Sequence, residues 1–169
     1  MTLFATIGAH RLLAKYDLIA TRHGEATIYD WKTYSRRPTN EALAARWQTR
    51  VYRALLARAG AVIGSDAPLS PEGIRMVYWF AEYPGDPAII SYDATQLRAD
   101  WDAIENLVEE ISSLKTFPLT EDRKMCRFCP FRSYCDRGDR ASMWEPAAAE
   151  LDEAETFDVR FDEVEEIAF

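Results

Sequence analysis

A chain of 169 residues with 48% hydrophobic and 28% charged side chains has the make-up of one soluble globular unit, which excludes disorder, collagen-like repetition and low-complexity sequence. No apolar run approaches the ~20 residues of a membrane helix, and Met1 to His10 lacks the basic flank and long apolar stretch of a signal peptide, so no membrane partner is expected and a cytoplasmic location follows by default. The net charge of −8 argues against a nucleic-acid partner only until its distribution is read: residues 145–169 hold ten acids and one base, while the other 144 residues hold 18 acids and 19 bases, a near-neutral body able to carry a local basic groove.

Thr2 to Ile7, His10 to Thr21 and Ala26 to Thr33 alternate in the manner of strands. With Gly8 and His23-Gly24 as turn signals, they predict an antiparallel meander. Pro38 and Thr39 open a segment in which Leu43, Trp47, Val51 and Leu55 recur every four residues, and Gly60 supplies a stop; the spacing predicts a helix over roughly residues 40–59. Ile74 to Phe80 is almost continuously apolar and aromatic, which suits a central strand covered on both faces and parallel to the strand before the helix. Asp93 caps a second helix, with Gln96 three residues on and Leu97, Trp101, Ile104, Val108, Ile111 and Leu114 as its buried stripe. Tyr78, Trp79, Phe80, Tyr83, Trp101 and Trp144 are expected in the core. The fold class is α+β, a mixed sheet of antiparallel meander plus parallel strand, flanked by helices. Residues 1–144 form one domain that includes a cysteine segment at 120–138, and 145–169 are an acidic tail in which Phe157, Val159 and Phe161 alternate with other residues.

With His23 and Gly24 as the central turn residues, strand partners are positions that sum to 47, and Asp17 stands opposite Asp30. Lys32 shares the face of Asp30, and Lys15 that of Asp17. Directly opposed residues have Cβ atoms about 5 Å apart, and like charges there are destabilising unless something resolves the repulsion. A divalent cation does so, since two carboxylates completed by water and phosphate oxygens are a ligand set that Mg²⁺ accepts. A lysine beside such a metal can help orient an attacking water and stabilise negative charge on phosphate. Gln48 and Tyr52, one helical turn apart on one face, are placed to hold a nucleotide or the lysine. The competing expectation is two aspartates separately solvated on an exposed face, with the lysines as ordinary surface pairs. Arg36, Arg37 and Arg50 are the candidate phosphate contacts, and Trp31 and Tyr34 candidate stacking platforms for single-stranded DNA. His10 is read as a further metal ligand or as a residue without a role.

Leu12-Leu13-Ala14-Lys15-Tyr16-Asp17-Leu18-Ile19, Thr27-Ile28-Tyr29-Asp30-Trp31-Lys32-Thr33 and Gln48-Thr49-Arg50-Val51-Tyr52 together resemble the PD-(D/E)XK nuclease superfamily, specifically its RecB-like branch. The resemblance covers about residues 10–60, and the set in order is far more specific than any one piece. It implies a restriction-endonuclease-like fold and a nuclease dependent on Mg²⁺ or Mn²⁺. Asp17 and Asp30 are then metal ligands, Lys32 the catalytic lysine, and Gln48 and Tyr52 residues that support the site. The branch further implies exonuclease-type action on single-stranded DNA or DNA ends, in repair or recombination beside a helicase or other repair protein. The N-terminal helix that precedes the first core strand in this family is missing from the chain, which suggests a C-terminal fragment of a longer nuclease. The alternative is a non-catalytic DNA-binding or scaffolding module on the same fold.

Cys126, Cys129 and Cys135 fall within ten residues in a C-x2-C-x5-C spacing. Such a cluster in an intracellular protein suits zinc or an iron–sulfur centre more than a disulfide framework, and both metals want a fourth ligand. The spacing resembles the C-terminal segment of iron–sulfur nucleases in the same superfamily, which implies a [4Fe-4S] cluster whose fourth ligand this chain lacks. Small buried thiols without metal, or a structural metal module, are the other readings. For the acidic tail, the sharper expectation beside a solvated extension is that it mimics DNA charge and covers the groove.

Overall fold

In the computed structural model, which describes residues 1–59, 63, 69–127, 129 and 131–137, the alternating first third becomes four strands: β1 (Thr2–Ile7), β2 (His10–Lys15), β3 (Leu18–Arg22) and β4 (Glu25–Lys32). The single strand expected over His10 to Thr21 is therefore interrupted at Tyr16 and Asp17. Tyr16 still pairs with Met1, its N–H donating to the Met1 carbonyl at 2.7 Å and its carbonyl accepting from the Met1 amine at 3.0 Å, and its ring is buried against Tyr52, 4.6 Å between centroids. Its hydroxyl donates to the Tyr52 carbonyl at 2.8 Å, while the Tyr52 hydroxyl donates to the Lys15 carbonyl at 2.6 Å. Tyr16 thus holds the backbone of Tyr52 while Tyr52 holds that of Lys15, and the chain bends at Asp17, next to this clasp.

β1 and β2 form a two-stranded antiparallel sheet, and β3 and β4 open a four-stranded one in the order β3-β4-β5-β6. At the β3–β4 turn both His23 (φ 50°) and Gly24 (φ 81°) take left-handed backbone, as a type I′ turn demands. That turn sets the expected register, with Leu18 opposite Tyr29 and Ile19 opposite Ile28. β5 (Ile74–Phe80) lies parallel to β4, as the apolar run predicts. β6 (Tyr83–Ser91), antiparallel to β5, was not anticipated. Pro84, Gly85 and Pro87 disguise it, and such residues are tolerated on an edge strand; the signal that remains is the alternating burial of Ala88 and Ile90.

The expected helix over 40–59 is two: α1 (Asn40–Ala45), capped by the Thr39 hydroxyl, which accepts from the Ala42 N–H, and α2 (Trp47–Ala59). Arg46 between them is extended, with ψ 143°. The Thr49 hydroxyl donates to the Leu43 carbonyl, occupying the acceptor that a continuous helix would offer to the N–H of residue 47. The break turns Trp47 out of the apolar stripe to 46% exposure. α3 (Ala94–Ser113) starts where expected, with Asp93 Oδ1 accepting from the Gln96 N–H at 2.7 Å. Trp101 and Ile104 are buried against Ile7 and Ala54. Ile111 and Leu114, expected in the same stripe, are exposed. Tyr83, expected in the core, is 38% exposed.

The main core lies between α1–α2 and one face of the four-stranded sheet. Ile28, Met76, Tyr78, Phe80 and Ile90 pack there with Leu43, Tyr52, Leu55 and Leu56. Alternation along β4 puts Ala26, Ile28, Asp30 and Lys32 on this buried face and Tyr29 and Trp31 on the other. The chain divides into two units, 1–117 and 118–169, and everything above belongs to the first. In the second, Cys126, Cys129 and Cys135 sit in successive tight turns, with the Cys129 N–H on the Cys126 carbonyl and the Cys135 N–H on the Arg132 carbonyl. Trp144 and the acidic tail of 145–169 lie outside the described residues.

Burial, and after it Tyr52, raises the Tyr16 phenol pKa well above its ordinary value of 10. The folded state therefore keeps a proton that the unfolded chain sheds above about pH 10, so this contribution to stability is complete below that pH and is lost as pH rises past it. Tyr16→Phe is expected to cost about 1 kcal/mol at pH 7 through the lost hydrogen bond. It should also flatten the alkaline fall in stability, as measured by denaturant unfolding at pH 7 and pH 11.

Candidate active site

Three side chains on the buried face close a ring at the C-terminal end of β4. Gln48 Nε2 donates to Asp30 Oδ1 at 3.0 Å, Lys32 Nζ donates to Gln48 Oε1 at 3.1 Å, and Lys32 Nζ lies 3.2 Å from Asp30 Oδ2. Strand alternation supplies Asp30 and Lys32 to one face, and α2 lays its first turn across them. An amide suits the third position because it both donates and accepts: a carboxylate there would repel Asp30, and an ammonium would repel Lys32. Asp30 is 4% and Lys32 8% exposed, so the charges are held where water screens them weakly.

Aromatic rings wall in the lysine. Its Nζ lies 5.7 Å from the centre of the Tyr34 ring and 5.8 Å from that of Tyr78, within cation–π range. Each ring is itself fixed by its hydroxyl: Arg46 Nη1 donates to Tyr34 at 2.9 Å, and the Tyr78 and Thr49 hydroxyls are 2.7 Å apart. None of Tyr78, Thr49 or Arg46 was singled out as a site residue from the sequence. Tyr34, read there as a stacking platform, is buried beside the lysine instead. Trp31 is 48% exposed on the opposite face.

Asp17 does not join the strand ladder opposite Asp30, because the chain bends there, between Tyr16, paired with Met1, and Leu18, paired with Tyr29. It is exposed, and its Oδ2 accepts from the Trp31 N–H at 3.2 Å. The carboxylate is thereby held at the β4 residue between Asp30 and Lys32. Tyr52 is not part of the ring; it clasps Lys15 and Tyr16, and so fixes the point from which Asp17 projects.

The expected phosphate contacts occupy different settings. Arg37 donates to the Asp86 and Pro38 carbonyls and to Asn40 Oδ1, and pairs with the Asp86 carboxylate at 3.0 Å, which ties the loop to β6. Arg50 Nε meets Asp100 Oδ1 at 2.6 Å, with its guanidinium over the Trp47 ring. Arg36 is exposed on the loop after β4. Arg53 was not among the candidate site residues. It is buried, donates to the Thr49 and Ser91 carbonyls, and lies 3.6 Å from Asp100 Oδ2. Burial lowers its pKa and Asp100 opposes that shift. This network holds α2 to α3 and β6, and with them the turn that carries Gln48.

Among the described residues no three His, Cys, Asp or Glu side chains gather so as to hold one metal ion. Two carboxylates are hard donors and suffice for Mg²⁺ or Mn²⁺, which keep water and phosphate oxygens for the remaining positions. A carboxylate also offers about four lone-pair directions, so Gln48 and Lys32 leave Asp30 capacity to bind. The donor set fits a hard divalent cation. The three thiols do not fit a shared centre as placed: all are free and partly exposed, and Cys126 Sγ accepts from Arg137 at 3.3 Å. His10, weighed as a further ligand, instead lies 2.8 Å from the Ser112 hydroxyl. No described helix is long and apolar enough to cross a membrane.

The family model of the PD-(D/E)XK nuclease superfamily covers residues 2–136, which spans the sheet, the three helices and the cysteine segment. No curated protein and no solved structure matches the chain.

Proposed function

Because the chain belongs to the PD-(D/E)XK nuclease superfamily, we propose that it hydrolyses phosphodiester bonds in DNA with Mg²⁺ or Mn²⁺ at Asp17 and Asp30. The observation that carries this is the closed ring of Asp30, Lys32 and Gln48, with Asp17 hydrogen-bonded to the residue between the first two. A divalent cation bound there supplies Lewis-acid polarisation of the phosphate and offsets its charge. The chain's own residues do the rest. Lys32 carries a positive charge to the same point, where it orients the attacking water and stabilises the charge that develops on the phosphoryl oxygens. Gln48 and the rings of Tyr34 and Tyr78 restrict the lysine to that position. Asp30 takes its place by strand alternation, and Tyr52 fixes the bend beside Asp17.

Within this proposal, the Lys15–Ile19, Asp30-x-Lys32 and Gln48–Tyr52 segments support a RecB-like, exonuclease-type enzyme of DNA repair or recombination. Single strands or DNA ends are then its substrates, and a helicase or other repair protein its partner. Arg36, exposed on the loop after β4, is a proposed phosphate contact together with Arg37 and Arg50, which also form ion pairs with Asp86 and Asp100. An iron–sulfur or zinc centre at Cys126, Cys129 and Cys135 would need the segment rearranged around a fourth donor, and no step is assigned to it.

The test is degradation of single- and double-stranded DNA with Mg²⁺ or Mn²⁺, comparing the chain with Asp30→Asn and Asp17→Asn. Cleavage by the parent that falls at least about 100-fold in both variants is expected. DNA binding with no cleavage by the parent would instead establish the scaffolding module.

A further inference from the structure

The second face of the four-stranded sheet carries none of the core. On β4 it displays Tyr29 and Trp31; in register on β5 stand Val77 and Trp79, and Ile89 of β6 lies beside Val77. None of these five belongs to either core cluster, and Trp31 and Ile89 are 48% and 57% exposed. Arg75 lies at the other end of the same face, exposed, with its Nε on the Thr27 hydroxyl at 2.8 Å.

We propose that this face is a base-stacking platform for single-stranded DNA; the proposal rests on the nuclease reading and names the form of its substrate. Trp31 and Trp79 are neighbours on strands about 4.8 Å apart, and Tyr29 precedes Trp31 by two residues, about 6.6 Å, along the same strand. Rings spaced in this way meet successive unpaired bases, whereas the bases of a duplex are stacked on one another and offer no free face. Charge points to the same occupant, since the Arg75 guanidinium matches a phosphate in shape and sign. Continuity with the candidate active site points to it as well. The backbone of Trp31 joins Asp30 to Lys32, and its N–H is held by Asp17, so the platform, on the reverse face of the sheet, borders the candidate site at the C-terminal end of β4.

The experiment separates binding from cleavage. Anisotropy of a labelled 20-residue oligothymidylate, and of a duplex of equal length, is measured in EDTA on the full chain, Trp31→Ala, Trp79→Ala and Trp31→Phe. Metal-dependent cleavage is assayed on the same proteins in parallel, and circular dichroism and sedimentation report folding and mass. The expected result is a loss of single-strand affinity of about tenfold for each alanine variant, recovery in Trp31→Phe and little change for the duplex. Alanine variants that are folded and bind the single strand like the parent overturn the platform even if the parent cleaves DNA. A face that changes only the sedimenting mass when altered is a protein interface and overturns it too. A parent that binds through Trp31 but does not cleave keeps the platform and sinks the nuclease reading.

Discussion

Lys32→Ala is expected to lower metal-dependent DNA cleavage by about 10²- to 10⁴-fold, because it removes a preorganised charge from the point where negative charge develops. The same change leaves the Asp30 carboxylate, 4% exposed, without the ammonium 3.2 Å away. A loss of about 1–3 kcal/mol of stability is expected as well. Lys32→Arg should restore the charge without the rate. The guanidinium is a wider planar fork, and Tyr34, Tyr78 and Gln48 already surround the ammonium. Turnover and denaturant unfolding on both variants check this, and an arginine variant that cleaves at the parent rate would show that charge alone is needed.

The second large effect lies away from the chemistry. Asp100 is the counter-charge for Arg53, a guanidinium 3% exposed, and it also takes Arg50 at 2.6 Å. Asp100→Ala leaves a buried cation without its partner, which costs about 3–5 kcal/mol, or about 10–20 °C in melting temperature for a unit of this size. Replacing both residues with apolar ones, Arg53→Met with Asp100→Leu, should recover most of that loss, because the burial penalty disappears along with the pairing. Calorimetric melting temperatures of the single and double variants decide it. A single variant that melts within a few degrees of the parent would mean that Ser91 and Thr49 suffice to hold Arg53.

How much of this was legible in sequence depended on whether the determinant was local. The His23-Gly24 turn sets its own register through left-handed backbone, so the pairing of β3 with β4, and Asp30 and Lys32 on one face, could be read directly. The Asp93 cap and the apolar run of β5 were legible for the same reason. Asp17 falls outside the expected ladder because the chain bends there, next to Tyr16, which is anchored to Tyr52, 36 residues away in sequence. The α1–α2 break depends on a side-chain hydroxyl competing for a backbone carbonyl, which four-residue periodicity does not register. β6 was hidden by prolines that an edge position permits. Within the site, Gln48 was visible as a polar residue beside an apolar stripe. Tyr34 was visible only as a stacking platform, and Tyr78 not as a site residue at all, since an aromatic residue in a core pattern carries no mark of the cation it faces. Arg53 and Asp100 were equally silent, each an ordinary charge on a helix until the two helices meet.

The clasp between Tyr16 and Tyr52 also bears on how the unit assembles. Each phenol is tied to backbone at or beside the other tyrosine, so the hairpin of β1 and β2 cannot detach while the middle of α2 stays intact. The two behave as one cooperative element despite their distance along the chain, and the long loop that joins them must close before either gains its full protection. Fluctuations that unfasten the chain beside Asp17 therefore coincide with loosening of the helix that carries Gln48. The acidic and amide halves of the site are accordingly made and lost together.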